Sequence, residues 1–230
     1  MNAASPGVIA LFQPNHHYAS HEAYLGALSE AMRAEYEAIV AAGYILQLDS
    51  PDLGLGRHML FKDKPEDEYI ALANLHVEVL NDALRNVPAD KVRLHVCWGN
   101  YEGPHDLDVP LHEIWPDIAR ANVGAFLLSM ANPRHAHEHR CFEQFHLPED
   151  TLLVCGVVDT TTNYVEHPQT IADRIERVAG VIGDPKRIIA GTDCGFETAA
   201  GFGSVAEDVV WAKLRTLCEG AALASRRLYG

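Results

Sequence analysis

Short apolar runs alternate with longer segments of helical period along this chain, and that alternation limits what it can fold into more than any other feature. The runs are Gly7–Phe12, Tyr44–Leu48, Val92–Cys97, Ala125–Leu128, Leu152–Val158 and Arg187–Ala190. Each has strand length, and most are nearly continuous in apolar residues, as expected of strands covered on both faces. Between them, Ser20 is placed to cap a helix that carries Leu25, Leu28, Met32, Tyr36 and Ile39 at steps of three or four, closed by Gly43. A second helix is predicted over 65–86 with Leu72, Leu75 and Val79 facing inward. A third opens at Pro168 with Ile171, Ile175, Val178 and Ile182, and a last one spans about 205–225. Six strand–helix units in tandem predict an α/β fold with a parallel sheet. No linker or composition break divides the chain, so residues 1–230 read as one domain. A closed barrel of this type needs eight units and typically about 250 residues, so six units predict an incomplete barrel.

Charge and cysteine usage narrow the function. Lys and Arg number 18 against 32 Asp and Glu, a formal charge of -14. Such a surface repels phosphate backbones and anionic lipid, which disfavours nucleic-acid and membrane partners. The N-terminal segment has no basic stretch followed by an apolar one, and no apolar run is long enough to span a bilayer. The five cysteines (Cys97, Cys141, Cys155, Cys194 and Cys218) are odd in number and widely spread. That argues against a disulfide framework and for a cytoplasmic setting.

His95-Val96-Cys97 is the sharpest local signal. Residues two apart on a strand share a face, so imidazole and thiol project together near the strand's end. Cys194, in Gly191-Thr192-Asp193-Cys194-Gly195, also follows a strand directly. In a barrel, strand ends carry the active site. One nitrogen and two sulfurs suit Zn²⁺ with a position left open. Taken alone, a His-x-Cys pair is common by chance, and a buried strand cysteine is usually core.

The stretches around His95–Cys97, Gly191–Gly195 and Leu46–Pro51 resemble the zinc and substrate motifs of the catalytic domain of cobalamin-independent methionine synthase. Asn132–Glu138 and the run from Val158 to Pro168 resemble the branch that includes epoxyalkane:coenzyme M transferases. The resemblance implies a TIM-type (β/α) barrel that starts near the family's third strand, without the first two βα units. It implies His95, Cys97 and Cys194 as zinc ligands, and alkyl transfer onto a small thiol. Asp49 matches the position that holds the substrate's amino group in the synthases. Arg134 and His135 are implied contacts to an anionic substrate.

Three departures go with the likeness. Ser129 stands where the synthases place a Glu ligand, Ser50 where they have a second acid, and Thr161 near their proton-donating His. These favour epoxide opening, or demethylation of another donor, over methyl transfer from folate.

Other candidates follow from placement at strand ends. Asp159 and Glu102 are candidate catalytic carboxylates, with His105 and Asp106 beside Glu102 in the same loop. Tyr164, with Glu166 and His167 nearby, is a candidate substrate contact, and His16 and His17 follow the first run. The His135–His139 cluster reads as a solvated or substrate-facing segment, and Cys141, Cys155 and Cys218 read as core thiols. Expected partners are a thiol and an alkyl donor, together with a second copy or another subunit that completes the barrel. The alternative reading is a non-catalytic or partner-dependent subunit that keeps the zinc motif.

Overall fold

The computed structural model describes residues 1–198, 200–201 and 203–230. Six strands, β1 (Asn2–Ala4), β2 (Leu46–Asp49), β3 (Val92–Val96), β4 (Ala125–Leu128), β5 (Leu152–Val158) and β6 (Ile188–Thr192), lie in the order β1-β2-β3-β4-β5-β6. The pairs β1–β2, β2–β3 and β5–β6 are parallel, so the predicted α/β class stands. The chain divides into two compact units.

The first unit comprises 1–99, 105–126 and 148–151. It holds β1 to β3 and the helices α1 (Pro6–Phe12), α2 (His21–Ala41), α3 (Gly56–Leu60), α4 (Glu66–Ala83) and α5 (Leu111–Ile118). One expectation is corrected here: Gly7–Phe12 is helix, and the first strand is the earlier, three-residue Asn2–Ala4. Apolar runs this short do not separate strand from helix. Ser5 and Pro6 decide it, because Ser5 Oγ accepts from the Val8 N–H at 3.0 Å and Pro6 occupies the first turn.

Ser20 caps α2 as predicted, accepting from Ala23 N–H at 3.2 Å. Leu25, Tyr36 and Ile39 are buried, whereas Leu28 and Met32 are only half-buried. Ser29 and Arg33 sit in the buried stripe instead, with the Ser29 hydroxyl donating to Asp82 Oδ2 at 2.8 Å. On α4 the inward face is Ala73, His76, Val77 and Leu80, a one-residue rotation from the predicted Leu72, Leu75 and Val79. The buried His76 causes the shift, since a polarity count places it outside while its Nδ1 lies 2.8 Å from the buried Asp52 carboxylate.

The second unit comprises 100–104, 127–147 and 152–230. Here α6 (Pro168–Ile182) and α7 (Glu207–Tyr229) pack on each other and on β5 and β6. Ile171, Ile175 and Val178 are buried on α6 as predicted. The two helices approach closely at Gly220, where an added Cβ would lie 2.5 Å from Ile171 Cβ. Among the described residues, no helix is long and apolar enough to cross a membrane.

Candidate metal centre

In the first unit, β2 and β3 pair in register so that Asp49 lies directly opposite His95. Their side chains meet, with Asp49 Oδ1 at 2.8 Å from His95 Nδ1. A carboxylate on one ring nitrogen fixes the tautomer and orientation of an imidazole whose other nitrogen serves a metal. His95 and Cys97 are buried, whereas the Asp49 side chain is half exposed. Ser50 N–H donates to the His95 carbonyl at 2.9 Å. The Ser50 hydroxyl is buried and has no hydrogen-bond partner among the described residues. The chain tightens around Cys97 because Leu55 N–H donates to its carbonyl and Gly54 passes so close that a Cβ there would sit 2.5 Å from that oxygen.

In the second unit, Cys194 is buried after β6. Its neighbour Asp193 accepts four bonds of 2.8 to 2.9 Å, from the backbone N–H groups of Met130, Ala131 and Asn132 and from the Asn132 amide. This carboxylate pins the Asn132-Pro133-Arg134 turn to the end of β6. Burial pushes its pKa up, against the pull of the four donors. Gly156 makes room for it, since a Cβ there would lie 2.1 Å from Asp193 Oδ1. Ser129 donates its hydroxyl to the Asp193 carbonyl at 3.1 Å and lies 3.8 Å from Cys194 Sγ.

Asp159 is buried at the end of β5, and its Oδ1 accepts from both the backbone N–H and the hydroxyl of Thr161 at 2.8 Å. Lys213 on α7, fully buried, donates to the Asp159 carbonyl and to Glu166 Oε2, each at 2.9 Å. Glu166 Oε1 in turn accepts from Asp159 N–H at 2.8 Å. Thr160 donates to Asn100 Oδ1 at 2.7 Å, and the Asn100 amide donates to the Gly195 carbonyl at 2.8 Å, which links the segments after β5 and β6.

Glu102, Arg134, His16 and His17 are exposed, and Tyr164 is 82% exposed. Two expectations are corrected. Of the solvated or substrate-facing reading of 135–139, the solvated half fails for His135, Glu138 and His139, which are buried where a 3₁₀ turn spans Glu138–Glu143, while His137 is exposed. Cys218 is exposed, because it lies on the outer face of α7, while Cys141 and Cys155 are buried thiols that desolvation pushes up to about 12. Sequence reasoning passed over Lys213, His76 with Asp52, and His58 with Asp108. Lys213 alone carried a usable signal, as a lone cation in the apolar stretch Trp211-Ala212-Lys213-Leu214.

Parallel strands, intervening helices and His, Cys and carboxylate side chains at strand ends describe an α/β protein whose strand ends carry residues of types that can ligate a metal. A profile of the family described as the catalytic domain of cobalamin-independent synthase matches residues 13–215, and the chain belongs to that family. It is 25% identical over 207 residues to an uncharacterized protein, YxjG, of Bacillus subtilis strain 168, covering 84% of this chain and 52% of that one. It is similar in fold to a B12-independent methionine synthase from Shewanella sp. W3-18-1, solved in complex with selenomethionine. There the TM-score is 0.73 at 19% identity, over 99% of this chain and 62% of the other. The TIM-type α/β reading stands on that match, and the chain spans about half to three-fifths of the length of these two proteins.

Proposed function

We propose that this chain is a zinc-dependent transferase that joins an alkyl group to a small thiol, with His95, Cys97 and Cys194 as the protein ligands. The observation that carries the reading is the donor set: three buried residues, one His and two Cys, of a kind able to hold a metal ion. Borderline-soft N/S ligation suits zinc better than the oxygen-seeking cations. Membership in the cobalamin-independent synthase family supports thiol alkylation as the reaction class. Bound zinc would supply one thing, a thiol substrate held as its thiolate at neutral pH.

The chain's own residues do the rest. Asp49 holds the His95 ring through Nδ1 and keeps a half-exposed oxygen for substrate. The Ser129 hydroxyl is committed to the Asp193 carbonyl, which leaves a fourth ligand position to substrate rather than to a protein side chain. The Ser50 hydroxyl, buried and without a hydrogen-bond partner among the described residues, offers a ligand one polar contact. Asp159 is the carboxylate we assign to proton handling at the alkyl donor, held in place by Thr161 and the Lys213–Glu166 pair. Glu102 lies on an exposed segment and is kept as a second candidate for proton transfer, while Arg134 and Tyr164, both exposed, and His135, buried beside Arg134, are assigned to contacts with the substrate. Epoxide opening or demethylation fits better than folate chemistry, which asks for a proton donor where this chain has Thr161.

We assign the protein to the cytoplasm and expect a second copy or another subunit along β6, every residue of which is half-exposed. The experiment is X-ray absorption at the zinc edge of the loaded protein, with His58 and His105 replaced by Gln so that only this donor set is filled, with and without candidate thiols. The reading expects one N and two S scatterers, and one further S on adding substrate thiol. An unchanged shell across a thiol panel would favour a non-catalytic subunit, the reading that Ser129 in place of a Glu supports.

A further inference from the structure

We propose that His58, His105 and Asp108 form a second, separate site for a first-row divalent cation, zinc foremost. All three lie in the first unit. His58 is on α3, which follows β2; His105 and Asp108 are in the segment between β3 and α5. Asp108 Oδ1 is 3.2 Å from His58 Nδ1, and Asp108 Oδ2 is 3.0 Å from His105 Nδ1. One donor atom from each residue lies within 4.8 Å of the others, and the two rings stand edge to face at 5.6 Å.

Those spacings suit an ion. A tetrahedral metal with bonds of about 2.0–2.1 Å sets its donors about 3.3–3.4 Å apart. The 3.2 Å edge from His58 Nδ1 to Asp108 Oδ1 is within a few tenths of an ångström of that length, and His105 Nδ1 faces the second oxygen of the same carboxylate at 3.0 Å. The Asp108 side chain is 2% exposed, while the His58 and His105 rings are 16% and 11% exposed. The negative group is therefore innermost, and the two imidazoles line the way in from solvent. His105 holds this place with a left-handed backbone, φ 51°, a conformation uncommon for non-glycine residues. Two nitrogens and one oxygen select zinc and its transition-metal neighbours over calcium and magnesium, which prefer oxygen alone.

An ion here would tie the segment after β2 to the loop that leaves Cys97, and it uses none of the residues of the His95, Cys97 and Cys194 set. The inference therefore stands apart from the reading of that set. The test uses the full chain carrying Cys97→Ser and Cys194→Ser, so that the first set contributes no thiolate. Calorimetric titration with Zn²⁺ and absorption with Co²⁺ are expected to show one ion per chain, with visible Co²⁺ bands and no thiolate charge-transfer band. His105→Gln and Asp108→Asn, checked for native circular dichroism, are each expected to weaken binding by about 10-fold or more. The absence of saturable binding in the doubly substituted chain would overturn the proposal, and so would binding that neither substitution weakens. Because that background removes both thiols of the first set in every arm, failure of the zinc transferase reading does not affect this outcome.

Discussion

The Asp193 side chain, just after β6, accepts four hydrogen bonds. Replacing it with Ala strands three backbone N–H groups and the Asn132 amide in a buried place. Each unmet donor costs about 1–3 kcal/mol, so Asp193→Ala should lower unfolding free energy by about 3 kcal/mol or more in urea titrations. A loss under about 1 kcal/mol would mean that the turn is held some other way. The thiols give a second expectation. Cys218 is exposed and should react with a disulfide reagent in the native protein, while Cys141 and Cys155, held up to about 12, should stay unmodified until unfolding. Histidine sets a third. Burial first, and then nearby His76, lower the pKa of His21, against a smaller opposing pull from Glu22. The fold favours neutral His21, so its contribution is fully present above the unfolded value of 6.5 and is lost as pH falls through 6.5 toward the folded value. His139 is lowered by burial too and acts with the same sign. Melting temperature should fall across that window, and His21→Gln should flatten the fall; equal slopes for parent and variant would contradict the assignment.

Elements were legible wherever period and punctuation agreed. Ala125–Leu128 and Leu152–Val158 are strands over the predicted residues, and Pro168 opens α6. Misreadings arose where a polar residue was buried or a cap outweighed hydrophobicity. Ser5-Pro6 turns Gly7–Phe12 into helix, and His76 rotates the inner face of α4. At the site, the ligand candidates could be read from the sequence because strand period and family motif coincide there. The Lys213–Glu166 clamp under Asp159 could not, because it joins residues 47 apart through burial that no local pattern encodes. That pair carries an element-level prediction. With Lys213 fully buried and the Glu166 side chain 9% exposed, Lys213→Met leaves a nearly buried carboxylate without its main partner. Breaking such a pair costs about 3–5 kcal/mol. Thermal unfolding should show that loss, and Glu166→Gln with Lys213→Met together should recover part of it.

At the scale of the whole molecule, the chain belongs to the cobalamin-independent synthase family, and the proposed transfer to a thiol rests on that membership together with the His95, Cys97 and Cys194 donor set. The half-exposed β6 carries the expectation of a covering subunit, which sedimentation would show as a species larger than one chain. The most direct test of the central claim is zinc content by elemental analysis of the purified chain, beside His95→Ala, Cys97→Ser and Cys194→Ser. His58 and His105 are replaced by Gln in every sample, so that only the first set is counted. The account predicts one zinc per chain in the parent and its loss in each of the three variants. No zinc in the parent, or zinc that all three substitutions leave in place, would contradict it.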